Sequence, residues 1–440
     1  MKKANKMVPV LLICLIVFGA LSLLSAALDG GKTESAEAVA RAEDYVKREL
    51  YQLAIIEYKK AIALHDSEEL RDAVLDAYEK WYEESEDIIE DYILAAESAA
   101  AAFSEKEKYH IILAKAHMRN EQYQNAYRAL QDATEQGLDT DKLRRMYIEA
   151  KYSFSTRWYE YTEIKHCVDG FYPVKDSELW GYVDEEGSSE TGFLYAFVSP
   201  YGEEGIRILS DTEDAKSVLM DADEILRGRL PFVPADAGVF ADGLFPISNG
   251  VSYSYYDSLG DKKFGNYELA SRFQNGVAAV KENGVWKLID TSGALVAETT
   301  YQEIRLNCDN SYMLEDIMLA KTNGKYRMYN EDLEVIGDFM CDDVDVMTED
   351  GVIAYKEGGK WGYVDTSGEV VIVPIFEEAK SFSNGIAAVR KGGRWGFIDM
   401  SGQQVIDCQF FGADYFNEEM NCMVKTAPEI WQMIELRVDF

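Results

Sequence analysis

The chain is poor in the residues that most chemistry uses. Four histidines are spread over 440 residues, and of six cysteines one, Cys14, lies inside an apolar run. The other five, Cys167, Cys308, Cys341, Cys408 and Cys422, are odd in number and irregular in spacing. They form no disulfide framework, one bridge at most, and no Cys-x-x-Cys pair points to zinc. Positive charge is also scarce: 44 Lys and Arg face 79 Asp and Glu, giving a formal charge of −35 and a pI near 4.5. That balance excludes nucleic acid as a partner, since its backbone demands clustered Lys and Arg. Anionic wall polymers and lipid headgroups are repelled too, unless metal cations bridge them.

Reactive constellations are missing as well. No nucleophile elbow, phosphate-binding glycine loop or dinucleotide fingerprint occurs. His110 and His117 are seven residues apart, too far for one metal, and His65 and His166 are isolated. Asp338, Asp342, Asp343, Asp345, Glu349 and Asp350 form an acidic cluster whose order does not match a calcium-binding helix-loop-helix, so it reads as a solvated edge or turn. No catalytic residue, metal site or cofactor is expected.

At the N-terminus, Lys2, Lys3 and Lys6 precede an uncharged stretch from Met7 to Leu28, long enough to span a bilayer as a helix. The charge asymmetry places residues 1–6 in the cytoplasm and the bulk of the chain outside. A cleaved secretory signal is the alternative, with Ser25, Ala26 and Ala27 supplying small residues.

Much of what remains is repetitive. KWGYVDTSGEVVIVPIFEEAKSFSNGIAAV is followed at once by RWGFIDMSGQQVIDCQFFGADYF, with tryptophans 34 residues apart. Copies open on Asn-Gly, Asp-Gly or similar pairs at Asp169, Asp242, Asn275, Glu315, Asp350 and Asn384. Eleven residues on stand Trp180, Tyr253, Trp286, Tyr326, Trp361 and Trp395. Fifteen on stand Asp184, Asp257, Asp290, Asn330, Asp365 and Asp399, and eighteen on stand Gly187, Gly260, Gly293, Leu333, Gly368 and Gly402. A degraded copy fits from Gly205 and a worn one near Glu418, while residues from Tyr159 echo the tail of a copy, giving some eight starts. Alternation over Ile386 to Arg390 and Trp395 to Asp399 predicts strands joined through Gly392-Gly393, where both central residues take positive φ. Asp399-Met-Ser-Gly402 predicts a turn in which the carboxylate accepts backbone N–H groups and the glycine is left-handed. The recurring Asp is therefore a turn residue and not half of a glycosidase pair, and the aromatic eleven residues on is expected in the core.

This pattern resembles the WG repeat family over residues 159 to 440, with the Trp-Gly pair itself at Trp180, Trp361 and Trp395 and Lys287 replacing glycine after Trp286. The resemblance implies binding and scaffolding, and brings no catalytic residues. Upstream, Ala42, Ala54 and Ala61 are spaced as are Ala114, Ala126 and Ala133, with YQLAIIEYKKAIAL and YQNAYRALQDATEQG similar to the second helix of a tetratricopeptide repeat. Those alanines are expected where two helices cross closely, with a worn copy between Ala77 and Ala96.

The resulting expectation is an α+β multidomain chain. It comprises a cytoplasmic tail (1–6), a transmembrane signal-anchor (7–28), tetratricopeptide-like helical hairpins (29–157) and an all-β repeat domain (158–440). About eight three-stranded units close into a propeller-like ring, with strands before Asp169 completing the last unit, because closure hides terminal edges; the alternative is an open β-solenoid. The expected function is a non-catalytic, membrane-tethered extracytoplasmic module that holds a protein or peptide. Carbohydrate is the alternative partner, with Tyr253, Tyr255 and Tyr256 stacking on sugar rings.

Overall fold

The structure, a computed structural model, describes residues 32–211 and 216–438. The expected tail and anchor, residues 1–28, lie outside the described residues. No helix among the described residues is long and apolar enough to cross a membrane. The chain divides into two compact units, Met1–Ser153 with Arg437–Phe440, and Phe154–Leu436.

The first unit is helical. Among its described residues, α1 covers 32–47, followed by α2 (Tyr51–Leu64), α3 (Glu68–Glu84), α4 (Ile89–Ala102), α5 (Glu107–Arg119), α6 (Tyr123–Glu135) and α7 (Asp141–Lys151). Links of only a few residues fold each helix back on the one before. Ser67 and Thr140 cap α3 and α7 by accepting N–H bonds from Leu70 and Leu143, satisfying donors the helix itself leaves free. Ala42, Ala54, Ala61, Ala114, Ala126 and Ala133 all have 0% exposure, and Ala77 and Ala96 between them are buried as well. Tyr58, Tyr78, Tyr92 and Tyr109 fill the space beside the first alanines, and Val438 joins Ala126, Leu130 and Leu143 in the core of α5 to α7.

The second unit is an eight-bladed β-propeller built from eight antiparallel meanders. The blades span residues 163–184, 197–230, 236–267, 269–298, 303–329, 343–376, 378–410 and 412–436. Phe154–Thr156 pairs with Ile430–Leu436 and completes the eighth blade, so the array is closed and not an open solenoid. That closing strand lies ahead of residue 158, where the repeat domain was expected to begin.

Blades and sequence copies are out of phase. The seventh blade consists of Glu378–Ala379, Ile386–Lys391, Arg394–Asp399 and Gln404–Phe410. Its first strand comes from the tail of the preceding copy, so the units have four strands where three were expected. Two residues are too few to show an alternation, which is why periodicity misses them. The first and fifth blades have three full strands, with isolated bridges such as Trp180 to Tyr195 and Tyr326 to Cys341 where the fourth would lie.

The recurring residues act locally. Asp399 Oδ1 accepts from the N–H groups of Ser401 and Gln403 at 3.0 and 3.1 Å, and Gly402 has φ +81°. Asp184, Asp257, Asp290 and Asp365 accept in the same way. Gly187, Gly260, Gly293 and Gly368 are left-handed, and Leu333 at the equivalent position is forced to φ +63°. Gly392 and Gly393 both have positive φ, as a tight hairpin requires.

The Trp-Gly pair has a steric cause. A Cβ on Gly396 would lie 2.6 Å from both Cys408 N and Ile406 O, because the outer strand bulges toward it between the partners of Trp395 and Phe397. Gly362 faces the same bulge in the sixth blade. At Trp286 the outer strand pairs Lys287 with Glu298 and Leu288 with Ala297 without a slip, and Lys287 is accommodated. In the third blade the roles are exchanged: Ser254 faces Gly265, at φ +105°, on the outer strand.

Candidate functional site

The aromatic eleven residues into each copy does not uniformly form the core. Trp286 and Tyr326 are fully buried, but Trp180, Tyr253, Trp361 and Trp395 are half-buried. The deepest ring stands two residues later on the same face of the strand: Tyr182, Tyr255, Tyr363 and Phe397 all have 0% exposure. Tyr182 and Tyr255 also donate to Ser199 O and Ser271 O of the following blade at 2.6 and 2.7 Å, tying neighbours together. The proposed sugar platform is thereby corrected: Tyr255 is buried, and Tyr253 donates to Asp236 at 2.6 Å. An exposed aromatic pair lies elsewhere, Trp158 against Tyr159 with ring centres 3.7 Å apart, and sequence periodicity gave no signal for it.

Antiparallel meanders put the turns after the first and third strands of every blade on one face. The turns after the first strand are cross-linked from blade to blade. Asp242 Oδ2 accepts from Gly276 N at 2.7 Å, Asp350 Oδ2 from Gly385 N at 2.8 Å, and Glu203 Oε2 from Asp242 N at 2.9 Å. Side-chain carboxylates at these turns thus hold the next blade, and Asp242 does so from a backbone at φ +50°, which Asp tolerates better than most residues.

Inside this circle of turns is a cavity of roughly 730 Å³ to which all eight blades contribute. Its most connected side chain is Asp414, which is buried. His166 Nδ1 lies 2.9 Å from Asp414 Oδ1, and Lys380 Nζ donates to the same oxygen at 2.9 Å. Burial pushes the Asp414 carboxyl up, yet the His166 and Lys380 cations hold it well below the usual carboxylate range. Asp414 in turn raises the His166 imidazole well above its ordinary value. Lys380 Nζ also sits 4.2 Å from the centre of the Tyr415 ring, whose hydroxyl donates to Asp345 at 2.6 Å. Arg272 pairs with Asp309 at 2.5 Å, and Cys167 and Cys308 line the wall as free thiols.

The acidic cluster between Asp338 and Asp350 is divided among partners: Asp342 meets Lys325, Asp343 meets Arg305, and Asp345 accepts from Ser381 N. Among the described residues no group of three or more His, Cys, Asp or Glu is placed to hold a metal. In the helical unit His110 and His117 are buried, bonded to Ser104 O and Gln122 Oε1, and line a separate groove of roughly 470 Å³.

Residues 253–286, 361–395 and 395–426 match the family described as the WG containing repeat. The propeller carries WG repeats. No curated protein matches the chain. Among solved structures the WG ring is similar to Kluyveromyces lactis Hsv2, at 10% identity over 63% of this chain and 97% of that one, with a TM-score of 0.39. It is also similar to virginiamycin B lyase from Staphylococcus aureus, at 13% identity over 54% and 95%, with a TM-score of 0.33. The Sgt2 TPR domain from Aspergillus fumigatus is similar at 21% identity over 27% of this chain and 77% of that one, with a TM-score of 0.22.

Proposed function

We propose that the chain is a non-catalytic interaction or scaffold module, tethered to the cell membrane by residues 7–28 with its bulk extracytoplasmic, that holds a protein or peptide partner. The observation that carries this reading is the use made of the recurring polar residues. Asp184, Asp257, Asp290, Asp365 and Asp399 are consumed in turns, and those at the first turn link blade to blade, so the repeat builds a surface and no reacting pair. The helical unit, with its hairpins and close-packed alanines, is read as tetratricopeptide-like and supplies a second binding surface at the groove of His110 and His117.

The test is crosslinking capture in native envelopes with the full chain, run beside an assay for hydrolysis of envelope polymers. A specific partner, lost when residues of the turn face or of the groove are changed, supports the reading. Product formation that vanishes on replacing one pair of side chains overturns it. A reporter joined after Phe440 should work outside the cytoplasm, and one active only inside overturns the topology.

A second reading, carbohydrate binding, is favoured by Trp158, which is 75% exposed and stacked on Tyr159. Loss of glycan binding in Trp158→Ala at unchanged stability would support it.

A further inference from the structure

The cavity of the WG ring holds more negative charge than its own cations offset. Arg272 is taken by Asp309, and His166 and Lys380 are taken by Asp414. Asp169, Glu185, Glu203, Glu349, Asp350 and Glu418 also line the cavity, and none of them has a cationic partner among the described residues. The backbone N–H bonds that Glu203 and Asp350 accept leave their charge in place. Crowding is felt at Glu185, whose carboxyl is pushed up by burial and further by Glu418 and Glu419. A separate feature points the same way. Tyr172 lines the cavity at 1% exposure, and its hydroxyl has no hydrogen-bond partner among the described residues.

We propose that this cavity binds a ligand carrying several primary ammonium groups on a thin flexible chain, either a free polyamine or the lysine side chains of a peptide segment. The six unpaired carboxylates supply the counter-charge, and the Tyr172 hydroxyl accepts one N–H. A compact metal cation fits less well, because the carboxylates stand on four different blades and no three of them converge within coordinating distance. Roughly 730 Å³ is within the range of pockets that enclose small ligands. The inference rests on the interaction-module reading and gives its ring a ligand class.

The experiment is calorimetric titration of the full chain with spermine and, separately, with a short peptide bearing three lysines, at low and at high salt. The native protein should bind at least one of the two, with affinity falling as salt rises. Asp169→Asn/Glu349→Gln/Glu418→Gln should weaken binding at least about tenfold, which is about 1.4 kcal/mol, with the melting temperature unchanged. Tyr172→Phe should weaken it several-fold. A control set away from the cavity, Glu83→Gln/Glu105→Gln/Glu298→Gln, should bind as the native chain does. Spermine alone binding identifies a polyamine site, and peptide alone a lysine-segment site. No binding, or equal weakening by the control set, overturns the inference. Partner capture that survives this outcome leaves the module reading standing, whereas hydrolysis of envelope polymers overturns that reading and leaves the titration intact.

Discussion

Trp395 and Phe397 stand two residues apart on one face of a strand, so their side chains point the same way, yet only Phe397 is enclosed, between Phe410 and Phe416 at ring distances of 6.2 and 5.0 Å. Phe397→Ala should therefore cost about 3–5 kcal/mol, by lost transfer free energy plus the cavity left behind. Trp395→Ala removes a half-buried ring and should cost less, about 1–2 kcal/mol. Urea midpoints of the two variants check the order, and a larger loss at Trp395 would contradict the placement. Asp414 makes a further prediction, in pH. Its folded value is depressed, so its contribution is complete above the ordinary value of 3.8 and is lost as pH falls through the folded one. His166 is raised, so its contribution is complete below 6.5 and is lost as pH rises through its folded value. Stability from the pair should be greatest between those limits, and His166→Gln should flatten the alkaline decline in a series of denaturation midpoints.

Within a blade, position and not residue type decides what a glycine does. Gly396 faces a bulged outer strand, and a methyl group there meets backbone that cannot yield, so Gly396→Ala should cost about 1–3 kcal/mol through overpacking. Gly385 has open space but φ +77°, and Gly385→Ala should cost about 1 kcal/mol, from backbone strain alone. Thermal melts separate the two, and equal losses would remove the steric account of the Trp-Gly pair. Turns of this kind were legible in the sequence because each needs a fixed residue at a fixed offset. The first strands, such as Glu163–Ile164 and Glu378–Ala379, were not, being two residues long. The second blade was read as decayed because it lacks the aromatic. Asp221 nevertheless accepts from Asp223 N and Ile225 N there as its counterparts do, so the turn outlived the ring.

Closure governs the whole ring. Arg157 N donates to Met433 O at 2.8 Å beside the pairing of Phe154–Thr156 with the last strand. Arg157→Pro removes that donor and should lower the melting temperature and speed hydrogen exchange over residues 430–436. Arg157→Ala, which loses only an exposed ion pair with Glu435, should change little. Equal behaviour of the two would mean that the closing strand contributes no stability. The cavity was the least legible part of the molecule. His166 and Asp414, paired in it, are 248 residues apart and stand where the copies differ. Repetition reveals what every blade shares, and a ligand site at the hub is made of what each blade does alone.

Because each blade borrows its first strand from the copy before it, the coding unit and the folding unit overlap by two residues of strand and the turn that follows. A gene duplication bounded at Asn384 and its counterpart in the neighbouring copy would insert one complete blade with both junctions already matched, leaving Phe154–Thr156 to meet the last strand as before. Blade number can then change by whole steps across a lineage without any new joint having to be invented.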